Sequence, residues 1–328
     1  MRAAGASQSI DDHLDAVTVV LAADDGYALP LAVAAFSVIA MLAAGRKLQL
    51  CILDMGMSRA KRHAVQQTVD QPRVELRWID SLSDRVRQLP NTWPAITRAG
   101  YGRLFIPDVL PESTHRALYL DCDVIARRCV GELFDTDMGG RPAMAVPDSQ
   151  SPFVCSPSGL PWWYRSGRSA HEPNFNSGVM LMDLDVWRRE GLGNAMLTYL
   201  TDGRHVVGQD QESINAVIGD RIGLLDPRWN QQSEMFQQQY EVALPYDAGT
   251  LAGLRDDPWI VHFSNRPKPW TRGGDHPFAA EWYGHLDRTA FAGWRPSLAR
   301  DTALRLRRTP RRLASRSKRV VKTALRMH

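Results

Sequence analysis

Apolar and polar positions along this chain fall into short apolar runs and longer ones with helical end signals, and the two kinds take turns. The run AVTVVLAA (16–23) predicts a buried strand. ALPLAVAAFSVIAMLAA (Ala28 to Ala44) follows it, with Pro30 near its start and Gly45 just past its end, as at the ends of a soluble helix. It is short for a bilayer and rich in alanine, so a buried helix is expected rather than a membrane span. KLQLCIL (47–53) predicts a second strand, Ser58 can cap a helix through about Val69, and RVELRWI (73–79) predicts a third strand. A helix is expected around Ile96–Ile106, then one strand over RALYLDCDV (116–124). AMAVP (143–147), GVMLMDL (178–184) and IVHFS (260–264) are further strands. DVWRRE opens a helix after the second of these, and another covers about Gln209–Ile218. Strands spaced by helices imply right-handed crossovers and an α/β fold with one mainly parallel, Rossmann-like sheet flanked by helices. Ligands of such sheets bind outside the carboxyl ends of the strands. Polar clusters lie at those ends: Asp24 with Asp25, Asp121 with Asp123, and His262.

Composition changes this picture little and charge changes it at one end. With 328 residues, 44% hydrophobic and 23% charged, the chain is an ordinary globular one. The net charge of +4 is uneven. From Ser297 to His328 there are 11 Lys/Arg and one acid, Asp301, so that tail is +10; the remaining 29 basic and 35 acidic residues leave the body at −6. A basic tail can serve nucleic acid, an anionic membrane or solubility. Pro310 can start a helix there, with Leu313, Val320, Val321 and Ala324 near one face and basic residues around it, the pattern of an interfacial helix. The acidic body lacks a nucleic-acid reading motif, so no nucleic-acid partner is expected. Cys51, Cys122, Cys129 and Cys155 show no zinc spacing and read as reduced thiols of a cytoplasmic protein. The start MRAAGASQSIDDHLDAV does not read as a signal peptide.

The chemistry starts at Asp121 and Asp123. In an extended chain, residues two apart face the same way. Two carboxylates on one face repel unless a cation lies between them, and oxygen ligands suit Mg²⁺ or Mn²⁺. A D-x-D alone is a weak signal, since a turn or a helix cap would also use it. Its context is stronger: VVLAADDGY at the end of the first strand, GYGRLFIP, NFNSGVMLMDLDVW (174–187), GQDQESIN (208–215), LLDPRWN (224–230) and IVHFSNRPKPW (260–270), in that order. Together these resemble glycosyltransferase family 8, over about Val17 to Trp270.

That resemblance implies a GT-A fold and a metal-dependent retaining transferase. The sugar would be a hexose, glucose or galactose, moved from a UDP-sugar to a glycan or lipid-linked acceptor such as a lipopolysaccharide core. Carried over position by position, it implies that Ala22, Ala23, Asp24 and Tyr27 hold the uracil and ribose. Arg103 would contact the diphosphate and sugar, and Lys268 the diphosphate. Asp121, Asp123 and His262 would hold Mn²⁺ or Mg²⁺. Asn176 and, more loosely aligned, Asp148 would touch the donor sugar, with Asp210 and Gln211 beside the anomeric carbon as the catalytic pair. Asn265 stands where the family often has Gly. The 153–173 loop, with Trp162 and Trp163, has no counterpart in the motifs; it is the expected acceptor or lid region, where the tryptophans stack on a sugar or simply pack. Expected boundaries are 1–15 for an extension, 16–296 for the catalytic domain and 297–328 for the tail, which could place the protein on the inner face of the cytoplasmic membrane.

Two other readings stay open. A metal-dependent nucleotidyltransferase could use a similar sheet, although AADDGYA is no glycine-rich phosphate loop. A non-catalytic nucleotide-sugar-binding protein is the second. The route to retention is open as well: a front-face displacement assisted by UDP, or a covalent intermediate on Asp210 or Gln211, of which an amide is the poorer nucleophile.

Overall fold

A computed structural model describes residues 16–90, 97–202, 208–236, 244–247, 249–250, 253–254 and 256–298. The expected 1–15 extension, Ile96 and the tail from residue 299 lie outside the described residues. The first half of the fold comprises β1 (Val17–Ala23), α1 (Ala28–Met41), β2 (Leu48–Asp54), α2 (Arg59–Val69), β3 (Val74–Ile79) and α3 (Ser83–Arg87). A 3₁₀ run over Arg98–Phe105 leads into α4 (Ile106–Val109). Then come β4 (Arg116–Leu120), β5 (Val124–Ala126), α5 (Val130–Phe134) and β6 (Ala143–Pro147). The second half has β7 (Phe175–Asp183), α6 (Leu184–Glu190), α7 (Leu192–Thr201), α8 (Gln209–Ile218), β8 (Gly223–Leu224), β9 (Gln231–Gln232), β10 (Ile260–His262) and α9 (Ala279–Leu286).

Seven strands form one sheet in the order β3-β2-β1-β4-β7-β6-β8, and β5-β10-β9 form a second. The first is parallel from β3 to β4; β7 then runs antiparallel to both β4 and β6. The sheet is mainly parallel, as the chain pattern predicts; the antiparallel β7 makes it mixed, and the second, three-stranded sheet departs from the one sheet expected. β1 is buried along its whole length and divides its side chains by alternation. Val17, Val19 and Leu21 face the core under α1, while Val20 and Ala22 face the core under the 3₁₀ run and α7. Burying a side chain the size of Leu21 contributes about 1.5–3 kcal/mol. Helix α1 is covered on nearly every side, since Val33 belongs to a further core with Ile125, Val261, Phe263 and Trp282. That explains why its apolar run has no polar face. It ends at Met41, short of Ala44, and none of the described helices is long and apolar enough to cross a membrane.

Several expectations change in detail. The helix expected at Ile96–Ile106 is the tighter 3₁₀ run, N-capped by Thr97. Ser58 stands at the N-cap of α2, but its side chain makes no cap bond and serves Asp25 instead. Helix α7 had no separate signal. β7 begins at Phe175 rather than Gly178, and β10 ends at His262. The largest change is at RALYLDCDV, which is not one strand. β4 stops at Leu120, the chain turns through Asp121, Cys122 and Asp123, and β5 pairs antiparallel with β10 in the second sheet. The two acids therefore lie on the seam between sheets. Backbone bonds on either side hold the turn: Asp121 N–H to Gly178 O at 2.7 Å and Phe263 N–H to Asp123 O at 2.8 Å.

Candidate active site

The turn, rather than an extended strand, brings the two carboxylates together. Cys122 points inward and its thiol meets Ala22 O at 3.2 Å, which leaves its neighbours free to face the cleft. Each acid divides its oxygens. Asp121 Oδ1 accepts from Arg103 Nη2 at 2.8 Å and Tyr119 Oη at 2.9 Å, while Oδ2 lies 3.9 Å from His262 Nε2. Asp123 Oδ2 takes the Lys268 ammonium at 2.7 Å, while Oδ1 lies 3.3 Å from the same His262 Nε2. One oxygen of each acid thus pairs with a buried cation and the other is turned toward the imidazole. The three ligand atoms lie within 4.8 Å of one another. Two carboxylate oxygens and one imidazole nitrogen form a donor set that fits a hard divalent cation such as Mn²⁺ or Mg²⁺. Burial works against ionising Asp123, but Lys268 and His262 outweigh it and hold its carboxyl far below the usual carboxylate range.

Arg103, on the 3₁₀ run, is 4% exposed and spends its donors inside the protein. Beyond Asp121 it reaches Asp210 Oδ2 at 2.9 Å, Gly100 O at 2.9 Å and Ser177 Oγ at 2.7 Å, with a further short contact to Ser177 O. Its guanidinium also stacks over the Tyr119 ring, 4.2 Å from the centroid. Burial would lower its pKa, yet Asp121 and Asp210 push it above the ordinary arginine value. Burial raises Asp210, against Arg103, and Asp121's charge adds to the rise. Asp210 is the second residue of α8, directly after Gln209, the one non-glycine residue with positive φ (52°) among those described. Holding a left-handed residue there costs roughly 1–3 kcal/mol, so the entry to α8 carries strain next to the site.

Asp148, Asn176 and Gln211 meet in a second wall that adjoins this group through Ser177 and Asn230. Asp148 Oδ2 accepts from Asn176 Nδ2 and Gln211 Nε2, both at 3.0 Å, and its Oδ1 caps the turn at Gln150 and Ser151. Gln211 Oε1 accepts from Ser177 N–H at 3.2 Å. Asn176 Oδ1 accepts from Gly178 N–H at 3.0 Å and from Asn230 Nδ2 at 2.9 Å. Lys268 is buried, its ammonium also donating to the Phe263 and Ser264 carbonyls.

Ala22, Asp24 and Tyr27 lie at the end of β1 and just beyond it. Asp24 Oδ1 caps the turn at Gly26 and Tyr27, and its Oδ2 accepts from Thr97 Oγ1 at 2.6 Å. A cleft beside it is lined by Asp24, Met55, Val86, Thr97 and Ala99. Tyr27 is half-buried and stands edge-on to Trp270, centroids 6.0 Å apart. Trp162 and Tyr164 are 39% and 57% exposed, gathered around Arg165 at the far end of the loop between Asp148 and Asn174. Asn265 accepts from Gln150 Nε2 at 2.7 Å, so it links the two walls' loops.

The motifs do not reveal three residues of this site. Ser177 touches both Arg103 and Gln211. Gly178 lies so close that a Cβ there would come within 2.4 Å of His262 Cε1 and 2.7 Å of Asp121 Oδ2. Its place two residues after Asn176, at a close approach of two elements, was the available signal. Asn230 is fully buried and meets His262 Nδ1 at 2.9 Å. An asparagine at the end of LLDPRWN carries no signal of its own.

The mixed, mainly parallel sheet is that of GT-A glycosyltransferases of known structure. Residues 18–274 match the family described as Glycosyl transferase family 8, and the chain belongs to that family. It is similar to General stress protein A of Bacillus subtilis, 26% identical across 83% of this chain and 93% of that protein. It is 26% identical to the lipopolysaccharide 1,3-galactosyltransferase of Salmonella typhimurium over 59% of this chain and 55% of that enzyme, little more than half its length. Among solved structures, the galactosyltransferase LgtC with donor and acceptor sugar analogues superposes with a TM-score of 0.68 at 24% identity, over 83% of this chain and 96% of that one. The bifunctional glycosyltransferase WbbM superposes at 0.70 with 21% identity, over 87% of this chain and 51% of that one.

Proposed function

We propose that this glycosyltransferase moves a hexose, glucose or galactose, from a UDP-sugar to a glycan or lipid-linked acceptor with retention at the anomeric carbon. The observation that carries the reading is the convergence of Asp121 Oδ2, Asp123 Oδ1 and His262 Nε2 beside the Asp148–Asn176–Gln211 wall. The names of relatives that act on lipopolysaccharide support the acceptor class.

A divalent ion held by Asp121, Asp123 and His262 would supply Lewis-acid stabilisation of the charge developing on the leaving diphosphate. The chain's own groups do the rest. Lys268 offers a point charge to a phosphate on leaving Asp123. Arg103 holds Asp121 and Asp210 in register and turns toward diphosphate and sugar only as those pairs loosen. Asp148 and Asn176 accept from and donate to sugar hydroxyls. Ala22, Asp24 and Tyr27 border the base, where the cleft beside Asp24 favours the assignment. Gln211 is fixed at both ends of its amide, to Ser177 N–H and to Asp148, which suits a group that orients the sugar better than one that attacks it. Asp210 is tied to Arg103. Both facts favour a front-face displacement over a covalent intermediate.

The basic tail beyond the described residues is proposed to attach the enzyme to an anionic membrane surface, each basic residue there contributing about 1 kcal/mol. Liposome sedimentation that falls with salt and is lost on removing 297–328 tests it. The central test is a panel of nucleotide sugars with Mn²⁺, read as donor hydrolysis. Preferential hydrolysis of UDP-glucose or UDP-galactose, abolished by EDTA, is expected; equal rates in EDTA would overturn the metal.

A further inference from the structure

We infer that Asn230 is a positioning residue: its amide oxygen accepts the Nδ1–H of His262, so that Nε2 is the ring nitrogen turned toward Asp121 and Asp123. The polarity of the hydrogen bonds settles each proton along a chain that begins at two fixed points. Gly178 N–H can only donate, and it meets Asn176 Oδ1 at 3.0 Å. Asp148, as a carboxylate, can only accept, and it meets Asn176 Nδ2 at 3.0 Å. Each contact alone orients the Asn176 amide, and the two agree. Asn176 Oδ1 then has to be met by a donor from Asn230, which is its Nδ2 at 2.9 Å. That leaves Asn230 Oδ1 facing His262 Nδ1 at 2.9 Å. An amide oxygen only accepts, so Nδ1 carries the proton and Nε2 of a neutral ring carries none.

Burial is what gives this chain its force. Asn230 is fully buried and His262 nearly so, so no water competes for either group. Reversing the Asn230 amide would set its oxygen against Asn176 Oδ1 and leave that buried pair unsatisfied, whichever nitrogen of His262 carries the proton. The orientation of the ring thus originates at Asp148, on the sugar wall. Without Asn230 the alternative tautomer would place an Nε2–H toward Asp123 Oδ1, 3.3 Å away, where it would make an ordinary hydrogen bond and fill the metal-facing position. Groups that orient ligand histidines in this way typically change metal affinity by about 10–100-fold.

The consequence for metal rests on the function proposed above; the tautomer does not, and the experiment separates them. Protein labelled with ¹⁵N-histidine is studied free of metal at about pH 8, with His262 assigned by its loss in His262→Gln. The wild type is expected to show Nδ1–H. Asn230→Ala is expected to lose that preference and to bind Mn²⁺ alone, measured by calorimetry, roughly 10–100-fold more weakly. Asn230→Asp still accepts from Nδ1–H but loses the donor to Asn176 Oδ1, and is expected to keep the Nδ1 proton and recover only part of the Mn²⁺ affinity lost in Asn230→Ala. A wild-type His262 with no proton on Nδ1 overturns the inference whether or not any variant folds. So does an Asn230→Ala protein with unchanged tautomer and Mn²⁺ affinity. An Nδ1–H wild type that binds no Mn²⁺ upholds Asn230's role and removes the metal reading instead.

Discussion

The two walls of the cleft compensate their carboxylates by opposite means. On the seam between the sheets, Asp121 is paired with the Arg103 guanidinium and Asp123 with the Lys268 ammonium. On the adjoining wall Asp148 has only amides, from the Asn176 and Gln211 side chains and the Gln150 and Ser151 backbone, and no ion pair reaches it among the described residues. Ion pairs can be exchanged, because a divalent cation replaces an ammonium at a carboxylate without any change of hydrogen-bond direction. Amide networks cannot, because each bond has a donor end and an acceptor end. The first wall is thus suited to charges that arrive and leave, the second to holding a neutral sugar in one orientation.

The largest expected effect breaks the first wall. Asp123→Ala should lower turnover about a thousandfold or more, since metal stabilisation of a leaving group is worth several kcal/mol. Like-charge repulsion alone would let the apo fold tolerate that change, but Asp123 also neutralises a buried lysine. Removing one partner of a buried pair costs about 3–5 kcal/mol. Asp148→Ala strands no charge and should cost only about 1 kcal/mol. Urea unfolding of both variants measures the contrast, and equal losses would end it.

The next effect tests the amide wall. Gln211→Ala should lower kcat about a hundredfold through misplacement of the sugar while changing UDP affinity less than a few-fold. Wild-type turnover in this variant would reduce Gln211 to a residue in the first turn of α8.

A smaller effect sharpens the exchange itself. Lys268→Met removes the ammonium that competes for Asp123, so Mn²⁺ alone should bind more tightly, by about tenfold, while UDP in the presence of Mn²⁺ binds more weakly by a similar factor. Calorimetry with each ligand reads both signs. Tighter nucleotide binding, or unchanged Mn²⁺ binding, would show that Lys268 is no counter-ion.

The walls also differ in how legible they were. Apolar runs located β1, β2 and β6 to within a residue, because central strands bury nearly every side chain and leave continuous runs. The acids and His262 stood out as polar residues at the ends of such runs. What the chain did not reveal is the turn at Asp121–Asp123, because Val124–Ala126 is as apolar as β4 and continues it in sequence while leaving it in space. Arg103's pairing with both Asp121 and Asp210 joins residues far apart in the chain, a distance that no local pattern spans. Asn230 and Ser177 act through backbone and amide geometry, which composition does not record. Whether Arg103, Asp24 and Tyr27 meet a donor is carried by the family resemblance and stands as part of the proposed function.

The smallest effect concerns pH and falls on the exchangeable wall alone. His276 packs against Phe263, the residue after His262, with ring centroids 4.6 Å apart. Burial lowers its pKa to about 4; Asp275 opposes this and the Lys268 charge adds to it. Its Nδ1 accepts from Phe278 N–H at 3.2 Å, which also favours the neutral ring. In the unfolded chain a histidine titrates near 6.5. Between those values the unfolded state binds the extra proton, so the stability from neutral His276 is complete above about pH 6.5, declines as pH falls toward 4, and declines no further below that. Discounted for the ring's partial exposure, the loss between pH 7 and 5 is on the order of 1 kcal/mol. Urea midpoints at pH 7 and 5 should therefore fall further in wild type than in His276→Gln, which does not titrate there. Lys268→Met, by removing a nearby positive charge, should raise the His276 pKa and flatten the profile partway. Asp148→Asn, on the other wall, should leave it unchanged. A flattened profile in Asp148→Asn would mean that the two walls share one electrostatic environment, and their separation into exchangeable and fixed halves would fail.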